Sequence, residues 1–238
     1  MSLFSLEQLF FAYPQDPDIL QEVSFSFFPE EKIGFYGPNG CGKSTLFRLI
    51  MGLLQPKRGH ICFQGKSLKT EKEFRTLRRE VGLVLQNADD QLFHPTVLED
   101  IAFGPLNLGL KAAAARERAM DTLKQLGLSH LYTSLTHRLS GGEKRLVALA
   151  SVLSMQPKAL LLDEPTNDLD PTHRARLIRI LQDLPAGKII ISHDFDFLQQ
   201  TCTSFMSIHE QKIVRGKTLH LHQHVHAHLL GEAPHSHM

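Results

Sequence analysis

The chain has 238 residues, with 26 Lys and Arg against 25 Asp and Glu and a formal net charge of +1. The length suits one domain with a sub-lobe or a tail, and the even charge excludes a protein that lives on nucleic-acid phosphates, whose footprint is clustered positive charge. Hydrophobic residues at 42% exclude global disorder, and three scattered cysteines (Cys41, Cys62, Cys202) exclude a disulfide framework and fit a reducing compartment.

Residues 3–13 and 23–28 read as strands; in the second, Val23, Phe25 and Phe27 alternate with Ser24 and Ser26, the period of a half-buried strand. An apolar run at 32–36 stops at a Gly/Pro/Asn cluster, a helix is predicted over 44–54, and 81–85 is a further strand. From 96 to 156 the pattern is helical, most plainly at 111–126. The longest apolar stretch there, 146–155, is about half of the roughly 20 residues that a membrane-crossing helix needs. The first residues show neither a basic region nor a cleavage site for secretion, so a membrane role is expected to come through a partner. Runs at 158–162 and 188–192 are continuously apolar, as buried parallel strands are. Between them Asp170 and Pro171 supply an N-cap and a first-turn proline for a helix over 172–184. Strands alternating with helices predict an α/β fold, with the helix-only middle as an inserted lobe. Composition changes once: seven of the 14 histidines (His220, His222, His224, His226, His228, His235, His237) fall in the last 19 residues. A domain over 1–216 and a flexible tail over 217–238 are therefore expected.

Gly37-Pro38-Asn39-Gly40-Cys41-Gly42-Lys43-Ser44-Thr45 follows a predicted strand and opens a predicted helix. Its spacing, G-x-x-x-x-G-K-[ST], is that of a loop whose backbone N–H groups converge on phosphates, helped by the positive end of the helix. Lys43 is expected to reach the β- and γ-phosphates of a nucleotide, and the Ser44 hydroxyl to ligate Mg²⁺. Cys41 reads as a small spacer. About 120 residues further on, Leu160-Leu161-Leu162 runs into Asp163 and Glu164. That strand would deliver Asp163 to the Mg²⁺ shell, and Glu164 would polarise a water for in-line attack on the γ-phosphate. An acidic strand end alone is common; behind a phosphate loop it points to nucleotide hydrolysis.

Between these two lies Leu139-Ser140-Gly141-Gly142-Glu143. It resembles the signature motif of ABC-type ATPases, and the rest of that family's set is present in order over residues 1 to about 216. The resemblance implies a phosphate-loop ATPase with a RecA-like mixed-sheet core and an inserted helical subdomain at about 96–157. It implies that Tyr13 stacks on adenine, that Gln86 lies near Mg²⁺ and the transmembrane partner, and that Asn167-Asp168-Leu169-Asp170 is a dimer-contact loop. It also implies that His193, after Ile189-Ile190-Ile191-Ser192, senses the γ-phosphate, although a lone histidine at a strand end is ordinarily a structural hydrogen-bonder. The implied catalytic set is Glu164, His193 and Lys43, and the implied Mg²⁺ set is Ser44, Gln86 and Asp163. Ser140, Gly141 and Gly142 would serve the nucleotide of a second ATPase subunit, a copy or a homologue, so that two chains enclose two ATPs.

Gln86-Asn87-Ala88-Asp89-Asp90-Gln91-Leu92-Phe93, with Asp100-Ile101-Ala102-Phe103-Gly104-Pro105 and Asn107-Leu108-Gly109-Leu110, is more specific. It looks like the ATPases of energy-coupling-factor importers of vitamins, cobalt and nickel. Such a subunit is expected on the cytoplasmic face of the cell membrane, under a transmembrane coupling protein and beside a substrate-capturing membrane protein. In an extended tail, alternation puts His220, His222, His224, His226 and His228 on one face. Neutral imidazole suits Ni²⁺, Zn²⁺, Cu²⁺ and Co²⁺. The tail thus tips the expected substrate from a vitamin toward a metal ion, nickel first, cobalt second and zinc third; a vitamin importer with an incidental tail is the alternative. A GTPase would carry an Asn-Lys-x-Asp motif, which the chain lacks.

Overall fold

The computed structural model describes residues 1–167 and 169–217. Its first half runs β1 (Phe4–Phe11), β2 (Leu20–Phe27), β3 (Lys32–Phe35), α1 (Lys43–Ile50), β4 (Arg58–Phe63), β5 (Lys66–Leu68), α2 (Glu71–Glu80) and β6 (Val81–Val84). Three helices follow: α3 (Val97–Asn107), α4 (Ala112–Gln125) and α5 (Gly141–Leu153). The last part is β7 (Ala159–Asp163), α6 (Pro171–Asp183), β8 (Gly187–Ile191), α7 (Phe195–Thr201), β9 (Ser204–His209) and β10 (Lys212–Gly216).

The strands form two sheets. Six lie in the order β10-β9-β3-β8-β7-β6, parallel from β9 to β6 with β10 antiparallel at the edge. This is the expected mixed sheet, and every residue of β7 and β8 is buried, as their unbroken apolar runs require. The first two predicted strands belong elsewhere, to an antiparallel sheet of order β2-β1-β4-β5. Val23, Phe25 and Phe27 of β2 turn inward while Ser24 and Ser26 face out, so the alternation has its physical cause. One residue on each strand breaks it. Gln8 (φ 49°) and Glu22 (φ 52°) take left-handed backbone where the β1–β2 register shifts, which makes each the extra residue of a bulge.

Two apolar cores result. One holds α1 between the sheets, with Phe4, Phe27, Phe35 and Phe47 at its centre. The other lies under the inserted lobe, where Val97, Ile101, Ala115, Ala119, Leu123 and Leu146 join α3, α4 and α5 to Leu160 and Leu162 of β7. The predicted helix over 44–54 stops early. Gly52 adopts φ +68° just past the end, and a side chain there would strike the Phe74 ring at 2.4 Å. Capping boxes at Thr70–Glu73, Thr96–Glu99 and Ser140–Glu143 start α2, α3 and α5.

Lys188, in the middle of the buried sheet, is wholly buried. Its ammonium donates to the Leu181 carbonyl and, at 3.4 Å, to that of Leu184, satisfying the C-terminal end of α6. Burial, with the Lys32 charge adding to it, pushes its pKa down from 10.5 to about 8. Between those values the folded chain binds fewer protons than the unfolded one, so this residue's contribution to stability rises with pH; below 8 its full cost is present. Relative to a Lys188→Met variant, the parent should gain about 3 kcal/mol in denaturant unfolding as pH rises from 8 to 10.5. Parallel pH profiles for the two proteins would refute this.

Candidate functional site

Ile33, Gly34 and Phe35 of β3 are buried between β8 and β9, which fixes the point where the chain leaves the sheet for the glycine-rich loop. The loop ends at Gly42, the N-cap of α1, with φ +103°; a Cβ there would lie 2.6 Å from the Ile19 side chain. Backbone and space both demand glycine. No side chain caps α1 and no acidic residue stands in its first turn, so its leading N–H groups are open to an anion.

Lys43 is buried and folds back on the loop, donating to the carbonyls of Gly37 at 2.7 Å and Pro38 at 2.8 Å. The Ser44 hydroxyl hydrogen-bonds the Asp163 carboxylate. Tyr13 packs edge-on against Phe11, and its hydroxyl lies 3.2 Å from that of Thr45. A cavity of about 440 Å³ opens over α1 and is lined by Tyr13, Asn39, Gly40, Gly42, Lys43, Ser44, Thr45, Gln86, Asp163 and Glu164. A larger groove of about 780 Å³, between the ends of α4 and α5 and the flank of α6, contains none of these residues. Chemistry, not size, marks the site.

Asp163 is the last residue of β7, and Glu164 follows with φ 46°, a left-handed conformation a glutamate seldom takes. Both side chains are buried. One oxygen of Asp163 has no hydrogen-bond partner. Burial pushes its carboxyl up, against the Ser44 hydrogen bond and the charges of Arg48 and Lys43. Burial likewise raises Glu164, opposed first by His193 and then by Lys43. The N–H of His193 donates to Glu164 Oε2 at 3.3 Å, while its Nε2 stands 3.2 Å from Oε1, off the line of a hydrogen bond. An unpartnered buried carboxylate oxygen beside a serine hydroxyl fits a hard divalent cation, and the open helix start fits phosphate oxygens.

The structure thus gathers Tyr13, the loop residues, Gln86, Asp163, Glu164 and His193. Ser140, Gly141 and Gly142 do not line the cavity. Ser140 caps α5, its hydroxyl donating to Glu143 Oε2 at 2.7 Å, and among the described residues nothing beyond its chain neighbours and its own helix backbone lies within 4 Å of where a Gly141 side chain would start. Asp168 and the tail histidines His220, His222, His224, His226 and His228 lie outside the described residues. Among the described residues no group of three metal-ligating side chains comes together, and no helix is long and apolar enough to cross a membrane.

Sequence reasoning missed Arg145, which reads as one more cation on a helix surface. It is buried, and its guanidinium donates to the Gln86 carbonyl and, at 3.2 Å, to that of Asn167. It therefore pins the Gln86 loop to the loop after Glu164. No signal in the pattern separates it from a solvated arginine.

The sequence profile of the ABC transporter family matches residues 20–167. A Nitratidesulfovibrio vulgaris protein, provisionally named an ABC transporter ATP-binding protein, is 51% identical over 99% of this chain and 86% of its own length. The energy-coupling factor transporter ATP-binding protein EcfA of Methanocaldococcus jannaschii is 40% identical over 92% of this chain and 80% of its own. Among solved structures, CbiO1 of Clostridium perfringens, part of the ABC transporter complex cbiONQ, superposes with a TM-score of 0.79 at 35% identity, covering 91% of this chain and 88% of that one. With the phosphate loop, the acidic strand end and the signature helix each in place, the chain belongs to the ABC transporter family as an ATP-hydrolysing cassette of the energy-coupling-factor type.

Proposed function

We propose that this ATPase powers import of a transition-metal ion, nickel ahead of cobalt, through a transmembrane coupling protein assisted by a separate substrate-capturing membrane protein. The observation that carries the ATPase reading is the convergence of the open start of α1 and the buried Asp163–Glu164 pair on one cavity, with His193 standing against Glu164. In this reading Gly37 to Thr45 hold the phosphates, Tyr13 meets the base, Glu164 activates the attacking water and His193 orients it against the γ-phosphate. Ser44, Gln86 and Asp163 would hold Mg²⁺, which when bound supplies charge neutralisation on the phosphates. Ser140, Gly141 and Gly142 serve the nucleotide of a second subunit. The domain ends near residue 216 and carries its helical subdomain at about 96–157.

Attachment to the cytoplasmic face of a membrane is supported by an apolar patch beside the Gln86 loop. Phe93 is 64% exposed, Leu106 is also exposed, and Phe93 packs edge-on against Phe103 at 4.9 Å. Apolar surface gathered this way suits a protein partner. The metal assignment rests on the alternating histidines from His220 onward.

A chain ending at Gly216 tests it. The truncated protein should keep its ATPase rate, lose Ni²⁺ binding in calorimetry and support less nickel accumulation in cells at limiting metal. In the full chain, Ni²⁺ binding should weaken as pH falls through about 6.5, where protons compete for the imidazole lone pairs. Equal Ni²⁺ binding with and without the tail would overturn the chelation, and unchanged nickel accumulation would overturn its role in import.

A further inference from the structure

His173 stands in the first turn of α6, on no motif of the sequence. Its ring packs against Gly142 of the signature helix: a Cβ on that glycine would come within 2.7 Å of His173 Cγ and 2.8 Å of Nδ1. The imidazole thus fills the space that any side chain at 142 would need. The same ring is 2.5 Å, through Nδ1, from Asp170 Oδ2. The other oxygen of Asp170 accepts the N–H groups of Thr172 and His173 at 2.8 and 3.0 Å, so the aspartate is fixed as the N-cap of α6. The side chain of His173 is 25% exposed, half as much as that of Asp170. Near the other end of this loop, Arg145 of α5 holds the Asn167 carbonyl. Helix α5 therefore grips the segment after Glu164 at two points, through Arg145 and through the Gly142–His173–Asp170 contact.

We propose that His173 is a positioning residue for ATP hydrolysis, locking the Asp170 loop to Ser140–Gly142 so that the two present one preformed surface to the nucleotide of the second subunit. The proposal rests on the two-chain reading of the signature helix. Without the ring, the contact between the Asp170 cap and Gly142 is lost, and the loop and the helix start must be ordered together each time two chains close. That ordering falls on closure and turnover, not on capture of ATP by a single chain.

The test uses His173→Ala and His173→Asn in the full chain, each alone and combined with Glu164→Gln. The asparagine amide can donate to Asp170 from nearly the position of Nδ1. For His173→Ala, kcat should fall at least ~10-fold, the scale of a lost hydrogen bond to a charged group, with KM for ATP within about twofold of the parent. In the Glu164→Gln background, the ATP concentration that half-converts chains to dimers in sedimentation should rise by a similar factor. His173→Asn should recover most of both effects. Circular dichroism and thermal melting check that the variants are folded. Parent-like kcat and dimerisation of His173→Ala would overturn the proposal, as would an equal loss in His173→Asn. If the Glu164→Gln protein with His173 intact stays monomeric under saturating ATP, the two-chain reading itself fails, and the proposal falls with it.

Discussion

Glu164→Gln should bind ATP within about twofold of the parent yet hydrolyse it at least ~10²-fold more slowly, the scale at which a positioned general base contributes. The amide keeps the size of the carboxylate and its place against the His193 N–H, so the cavity, Lys43 and the start of α1 are undisturbed. What glutamine cannot supply, on the reading proposed above, is a carboxylate that takes a proton from water. Its left-handed backbone, at φ 46°, aims the side chain off the end of β7 toward the cavity instead of along the strand. Calorimetric titration with ATP reads the binding and phosphate release reads the turnover. Parent-rate hydrolysis would show that another group activates the water; lost binding would show that Glu164 is structural.

Legibility in the sequence followed how local the determinant is. The strand–loop–helix unit of the phosphate loop is set mainly by its own residues, Gly42 above all, and, except for its end, where the helix stops at Ile50 and Gly52 lies against Phe74, it was readable. So was α6, where Asp170 and Pro171 cap and start the helix within three residues. The buried strands β7 and β8 were readable because a strand covered on both faces has no polar positions. In the second sheet β1 and β2 were readable but β4 and β5 were not, since β4 is polar at its start (Arg58, His60) and β5 is three residues long; pairing of β4 on β1 and of β5 on β4 makes them strands. β9 and β10 likewise owe their places to β3 and to each other. In the site, the phosphate-loop residues and the Asp163–Glu164 pair could be named from spacing, and Tyr13 and Gln86 only from the family resemblance. Arg145 and His173 could not, because the groups they meet across the fold, the carbonyls of Gln86 and Asn167 and the glycine at 142, lie 22 to 59 residues away.

Lys43→Met should separate binding from turnover in the opposite sense. The ammonium of Lys43 is buried at the loop and donates to Gly37 and Pro38, so it is already committed to two carbonyls at 2.7 and 2.8 Å. An incoming phosphate offers charged oxygens in place of neutral ones, and charge-assisted hydrogen bonds are roughly twice as strong. The lysine therefore gains on exchanging partners, and that gain favours the bound state. Methionine keeps the unbranched stem that fills the space and removes all three donors. Loss of charge-assisted contacts worth roughly 1.5–3 kcal/mol should weaken ATP binding by about 10- to 100-fold. The cost to the unliganded fold should be small, about 1 kcal/mol, the net scale of an intramolecular hydrogen bond. Calorimetry should thus show weakened ATP binding with a melting temperature within a few degrees of the parent, whereas Glu164→Gln leaves binding intact. A Lys43→Met chain that binds ATP as tightly as the parent but melts much earlier would assign this lysine to holding the loop together, and the phosphates would then be held by the backbone N–H groups alone.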